Sequence, residues 1–243
     1  MKKYALAFTV LLISTQSQAD VLGAGLGTGV WTSGPVGTVT TNNNEFDVKK
    51  DTGLSSSNNN YVWVYFNHPL PLIPNIRLES TRVSSSGSGS QNVTYLGNTY
   101  GNHETDLNLN QVDLLLYWGI PLPIVDINYG FGAKQFTGDL TITDTDGNID
   151  PKTTDLDGTI PVGYLAAHAN IPALPLSFSA DIKTLGSLYN DTTIKGRYDI
   201  TSFGLKLGIE AGYRSQKLKT DEVGDIDVDL KIDGYFAGVT LVF

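Results

Sequence analysis

The sequence predicts an all-β fold, a closed antiparallel transmembrane β-barrel of about ten strands. Three observations predict it. The last eighteen residues, Ile226 to Phe243, alternate so that Tyr235, Ala237, Val239, Leu241 and Phe243 share one wholly apolar face. Successive side chains of a strand point to opposite faces, and an apolar face ending in an aromatic residue suits a lipid-facing barrel strand. Three Pro-rich turns recur at constant spacing, with Leu70, Pro121 and Pro172 each 51 residues apart. Finally, no stretch of the 243 residues approaches the run of about 20 apolar residues that a membrane helix needs.

Met1 to Ala19 reads as a secretory signal peptide. Lys2 and Lys3 open it, Ala5 to Ile13 form its apolar centre, and Ser17-Gln18-Ala19 gives a small-residue cleavage site before Asp20. The expected domains are therefore a signal over 1–19 and one barrel over 20–243. An exported chain without a helical anchor is either water-soluble or a barrel. With Lys2 and Lys3 removed, 14 Lys and Arg face 25 Asp and Glu, a net charge near −11. That balance argues against nucleic acid as a partner and against attraction to anionic lipid. There is no Cys, hence no disulfide framework.

The strands follow in order. Pro cannot donate to a ladder, so each Pro cluster marks strand ends. Each cluster is followed by alternating residues: Asn75 to Glu79, Val125 to Phe131, and Leu176 to Ile182. This places ten strands near 21–32, 60–68, 75–85, 104–119, 125–143, 154–170, 175–187, 192–206, 208–220 and 226–243, with eight or twelve still open. The Pro turns fall on the periplasmic side. Longer loops, near 33–59, 86–103, 144–153, 188–191 and 221–225, fall outside. The first two are rich in Ser, Asn, Gly and Thr and read as solvated and mobile.

Three strands are two-sided. Leu176, Phe178, Ala180 and Ile182 oppose Ser177, Ser179, Asp181 and Lys183. Ile209, Ala211 and Tyr213 oppose Glu210, Arg214 and Gln216, and Ile127, Tyr129, Phe131 and Ala133 oppose Asp126, Asn128 and Lys134. A Lys or Arg facing lipid at the midplane costs about 2–4 kcal/mol, so the polar sets face inward. A soluble β-sandwich gives the same alternation. Strand length, the terminal Phe243 and aromatics near strand ends (Phe66, Trp118, Phe178) favour the membrane barrel.

Inward charges are the first candidate site. Arg77, Lys134, Lys183 and Arg214 are matched by Glu79, Asp126, Asp181 and Glu210. Charges leaving water need partners, so these form either a selectivity gate or a structural plug across the lumen. In the first strand Gly23, Gly25, Gly27 and Gly29 line one face and open a furrow, to be filled by a bulky side chain or by a small apolar ligand. In the second, Tyr61, Trp63 and Tyr65 oppose Val62, Val64 and Phe66, and either set can face lipid.

Asp144, Asp146, Asn148 and Asp150 place oxygen ligands at alternate positions, a calcium candidate. Gly147 sits too early for an EF-hand loop, so a polar hairpin tip is the plainer reading. Asp221, Glu222, Asp225, Asp227 and Asp229 make either a solvated rim or a divalent-cation bridge to lipopolysaccharide. His103 lies beside Glu104 and Asp106, as a general base would. No phosphate loop, metal-binding His cluster or nucleophile elbow accompanies it, so neither a cofactor nor catalytic residues are expected.

The amino-terminal segment, Leu22 to Gly27, the Phe66 to Asn75 turn, Glu210 to Arg214 and the aromatic terminus resemble a family of small proteobacterial outer-membrane β-barrel proteins of unassigned function. The resemblance covers the whole mature chain and implies an outer-membrane location and a barrel, with no substrate. The last strand resembles the closing strand of such barrels, in which Tyr235, Val239, Leu241 and Phe243 would address the barrel-assembly machinery. The expected protein is a monomeric, non-enzymatic, structural or narrow-lumen envelope barrel with lipid and lipopolysaccharide around it. A porin-like barrel for small solutes or hydrophobic compounds is the alternative, and a surface hydrolase centred on His103 is the third reading.

Overall fold

The computed structural model describes residues 22–200, 204–223 and 226–243. The signal segment and its cleavage site lie outside them. The strands are β1 (Gly23–Thr41), β2 (Asn44–Asp47), β3 (Ser57–Asn67), β4 (Asn75–Gly89), β5 (Val93–Tyr95), β6 (Asn98–Tyr100), β7 (His103–Pro121), β8 (Val125–Asp144), β9 (Lys152–Asp155), β10 (Gly158–Asn170), β11 (Leu176–Leu185), β12 (Tyr189–Asp199), β13 (Lys206–Val223) and β14 (Ile226–Val242). Ten of these form the wall, in the order β1, β3, β4, β7, β8, β10, β11, β12, β13, β14, all antiparallel. β14 returns to β1 over the register Gly25↔Val242 to Thr41↔Ile226, so the sheet closes on itself. Backbone bonds of 2.9 Å in both directions between Phe243 and Ala24 extend that seam to the last residue.

An outer belt of apolar side chains runs round the end that carries the Pro turns. Leu22 to Val30, Val112 to Ile120, Leu205 to Tyr213 and Tyr235 to Phe243 each present exposed large apolar residues over nine positions. Nine residues at about 3.3 Å each, tilted about 40°, give a band roughly 23 Å tall, close to the about 25 Å lipid-facing band of outer-membrane barrels. Above it the outward positions turn polar, through Thr32, Asn58, Asn60, Ser80, Arg82, Ser84 and Asn110. Charging that surface rather than the belt is what keeps the upper wall in water. Phe66, Phe178 and Phe243 lie exposed at the lower rim. Trp118 packs on Tyr129 there, while Tyr213 and Tyr235 meet edge-on at 5.1 Å near the upper one.

The structure differs from the expected strands at several boundaries, with β4 running on to Gly89, β10 starting at Gly158 and β12 ending at Asp199, and in one loop assignment. β1 does not stop at residue 32 but continues through Ser33-Gly34-Pro35 to Thr41. That tripeptide falls in the expected loop 33–59, yet the β3 ladder ends at Ser33↔Ser57, so Pro35 stands where no donor to β3 is needed. The β11–β12 turn is tighter than expected because Gly186 adopts φ +60°, and Asp191 therefore lies in β12 rather than in a loop. The two Ser- and Asn-rich loops are not simply solvated. They carry Phe46, Val48, Leu54, Val93, Tyr95 and Tyr100 into a second core with Val39, Leu107, Leu140, Ile142 and Val228, which caps the outer mouth.

Candidate functional site

Alternation brings one residue in two from every wall strand into the lumen, and there a polar layer crosses it. Lys134 Nζ lies 2.8 Å from Asp113 Oδ1, and Lys183 Nζ lies 3.0 Å from Asp113 Oδ2. Lys183 also binds Glu79, which accepts from Arg77. Arg214 grips Asp191 with two bonds, Nε to Oδ1 at 2.9 Å and Nη2 to Oδ2 at 2.6 Å, and donates to Thr81 at 2.8 Å. Asp191 sits 3.6 Å from Lys183 and 4.0 Å from Lys134. Gln111 and Gln216 exchange amide bonds of 3.0 and 2.9 Å beside it. Lys134, Lys183, Asp113 and Asp191 are all buried to 2% exposure or less.

Four cations, Arg77, Lys134, Lys183 and Arg214, thus meet three carboxylates, Glu79, Asp113 and Asp191, drawn from β4, β7, β8, β11, β12 and β13. Each buried charge has two or more partners, which is the condition under which ionised groups persist away from water. Chemically the arrangement pairs buried charges and ties the wall strands to one another across the lumen. Trp31, Val83, Tyr164, Ile232 and Phe236 pack together in the lumenal core.

On the turn side of the layer, Glu210 accepts from Lys195 at 2.8 Å, from Trp63 Nε1 at 2.9 Å and from Tyr61 at 2.8 Å. Trp63 lies between two cations, with Arg77 5.0 Å and Lys195 4.8 Å from its ring centre. A cavity of about 40 Å³ remains among Trp31, Arg77, Asp181, Glu210 and Arg214. On the other side, beneath the cap, a second cavity of about 160 Å³ is almost wholly apolar.

Of the eight sequence-derived lumen charges, Arg77, Glu79, Lys134, Lys183, Glu210 and Arg214 bear these contacts. Asp181 faces the lower cavity, with no cation within 4 Å among the described residues. Asp126 does not join the layer: its register partners are Pro121 and His168 at the rim, eight residues below Lys134. Asp113, Asp191 and Lys195 were missed. Asp113 is masked by its neighbours Val112 and Leu114 to Leu116, an apolar run that hides the alternation. Asp191 was displaced into a loop by the misplaced turn. The pattern Asp191, Thr193, Lys195, Arg197 is period-two and could have been read.

The furrow of Gly25, Gly27 and Gly29 is filled. Tyr65, Trp63 and Tyr61 of the adjoining β3 lie across it, and a Cβ on Gly25 would stand 2.6 Å from the Tyr65 ring. Gly23 is at the rim beside Asn67 and takes no part. This settles β3: its Tyr and Trp set points inward and Val62, Val64 and Phe66 point to lipid. Tyr235, Val239, Leu241 and Phe243 share the outer face of β14, three of them more than half exposed.

Two of the calcium candidates, Asp144 and Asp146, are bonded to protein donors. Asp144 accepts the backbone N–H groups of Asn148 and Ile149, and Asp146 accepts from Asn102. These carboxylates tie the hairpin tip, and no group of three or more His, Cys, Asp or Glu converges on a metal position among the described residues. His103 is buried and bonded to the Gly101 carbonyl at 2.9 Å, whereas Glu104 and Asp106 point to the opposite face. In the acidic rim, Asp225 and the side chains of Asp221 and Glu222 lie outside the described residues. Asp227 and Asp229 are exposed, Asp229 3.8 Å from Lys219.

No protein-family model and no curated protein matches the chain. Its structural neighbours are small bacterial outer-membrane barrel proteins. It is similar to the outer membrane protease OmpT from Escherichia coli at 11% identity, covering 95% of this chain and 99% of that one with a TM-score of 0.49. The transport unit of the autotransporter AIDA-I from Escherichia coli is 8% identical over 96% and 93% at 0.41. Ail, the attachment invasion locus protein of Yersinia pestis, is 9% identical over 91% and 98% at 0.34. Likeness at this level concerns chain tracing and transfers no residue roles.

Proposed function

We propose that this chain is a structural, narrow-lumen barrel of the outer membrane, non-enzymatic and sealed to solutes. The observation that carries the reading is the polar layer, in which Glu79, Asp113, Lys134, Lys183, Asp191 and Arg214 bond across the lumen. Barrels of about eight strands fill their interior with side chains, whereas open channels appear at about 16 strands, and ten strands stand nearer the first. The apolar belt supports lipid as the surrounding partner, and the outward row Tyr235, Val239, Leu241 and Phe243 supports recognition by the barrel-assembly machinery. Lipopolysaccharide would meet the polar upper wall. The unclustered His103 supports a barrel without hydrolytic chemistry.

Single-channel recording in planar bilayers tests the seal. The mature barrel is expected to stay silent, and Arg214→Ala to conduct by joining the two lumenal cavities. Reproducible steps from the unaltered protein would replace this reading with the porin-like one. Cleavage of peptides or lipopolysaccharide that is lost in His103→Ala would replace it with the hydrolase.

A further inference from the structure

The wall of the barrel is not equally tall all round. β10 pairs with β8 from Gly158 onward, but its β11 ladder begins only at Gly163↔Thr184. Residues 158–162 therefore form a bare edge, and Pro161 stands on it, a residue suited to an edge because it lacks a donor. On the far side, β12 starts at Tyr189↔Leu218, and the Lys219 N–H bonds to the Leu188 carbonyl at 2.8 Å. Above that point β13 has β14 as its partner. Between these edges stands only the short β11–β12 hairpin. The result is a notch in the side of the barrel.

The apolar cavity lies directly behind this notch. Leu185 and Leu188 of the hairpin tip form its sill, Leu218 one jamb, and Leu109, Phe136 and Ile232 its back wall. Leu188 is 50% exposed at the opening. Leu185 is three residues beyond Ile182, the last large apolar residue of the belt on β11. Three residues at about 3.4 Å, tilted about 40°, raise the sill roughly 8 Å above the belt. That is the depth of the headgroups, which add about 5–8 Å to each side of the hydrocarbon core. The cavity floor is Tyr189, whose hydroxyl is bonded to Asp191 in the polar layer, so there is no onward path.

We propose that this cavity is a side-entry binding cup for one hydrocarbon group of about six to eight carbons, the size an apolar cavity near 150 Å³ accepts. Apart from Asp157 and Lys219 its lining is apolar and offers few hydrogen bonds to water, so an apolar guest is favoured there. Two sources share this chemistry: a small free hydrocarbon, and the terminal segment of an outer-leaflet acyl chain. The cup is independent of the sealing role proposed above, since it ends at the polar layer.

The test is methyl NMR of the mature barrel in lipid nanodiscs with perdeuterated toluene as probe. Saturable shifts of the Leu109, Leu185 and Ile232 methyls are expected. Leu218→Trp, which fills the cup, should weaken binding by about tenfold or more, and Leu218→Met should leave it nearly unchanged. Should Leu218→Trp not fold, Leu188→Trp blocks the notch instead. Without toluene, cross-relaxation between these methyls and protonated acyl chains would identify lipid as the occupant and support the cup. Absence of both signals, or toluene shifts that persist in the filled and blocked variants, overturns the proposal.

Discussion

Removing Arg214 is the most direct probe of the polar layer. Its guanidinium makes two bonds to Asp191 and one to Thr81, and stacks 5.2 Å from the centre of Trp31. Breaking a buried pair by deleting one partner costs about 3–5 kcal/mol, because the remaining charge is stranded. In Arg214→Met, Asp191 is not stranded completely: Lys183 at 3.6 Å and Lys134 at 4.0 Å remain, so the loss belongs at the lower end, about 3 kcal/mol. Asp191→Asn should cost a similar amount from the other side. The double variant should cost much less than the sum, with a coupling of about 2 kcal/mol. Urea unfolding of the barrel in lipid vesicles measures all three, followed through tryptophan fluorescence because Trp31 rests against the altered group. Single losses below about 0.5 kcal/mol, or additivity within that margin, would show that the charges sit near one another without acting as a unit.

Four further outcomes follow from contacts described above. Gly27→Val should displace the Trp63 ring and destabilise the barrel by about 1–3 kcal/mol, seen as a lower temperature of the gel-mobility shift on heating; an unchanged shift would mean that Trp63 does not lie in the furrow. Tyr61→Phe removes one of the bonds to Glu210 and should cost about 1–2 kcal/mol by the same urea assay. Phe243→Ala should lower the yield of inserted barrel in cells while the refolded protein in vesicles keeps nearly the parent's stability, whereas equal losses in both would point to packing alone. The pKa of Asp47, in the cap and clear of the bilayer, lies below its ordinary 3.8: partial burial opposes this, but backbone N–H groups of Lys50 and Lys49 hold the charge. A carboxylate lowered by folding contributes stability above its unfolded pKa and loses it as pH falls through the folded value. Protease cutting within residues 42–56 should therefore rise below pH 3.8, and Asp47→Asn should remove that dependence.

Legibility differed between the wall and its contents. Glu79, Lys183, Glu210 and Arg214 announce themselves because period-two alternation is strict on their strands. Asp113 does not, since Val112 to Trp118 contains residues apolar on both faces: Leu115 and Tyr117 pack inside while Leu114 meets lipid. Asp191 was lost to a turn whose tightness rests on one positive φ at Gly186. The loop core of Phe46, Leu54, Tyr95 and Tyr100 was hidden because its apolar residues are scattered among Ser, Asn and Gly, with no period to reveal them.

By itself, the order of residues determined the class of fold, the direction each wall side chain takes, and the end of the barrel that bears the Pro turns. These are local consequences of a two-residue repeat and of missing N–H donors, so they survive without knowledge of distant neighbours. Which charges meet is another matter. Glu79 and Lys183 are 104 positions apart, and their contact depends on closure, on the stagger of ten strands and on the curvature that turns opposite walls toward each other. The notch and the apolar cup behind it likewise arise only where a short hairpin stands between tall neighbours, a comparison of heights that a linear pattern does not contain.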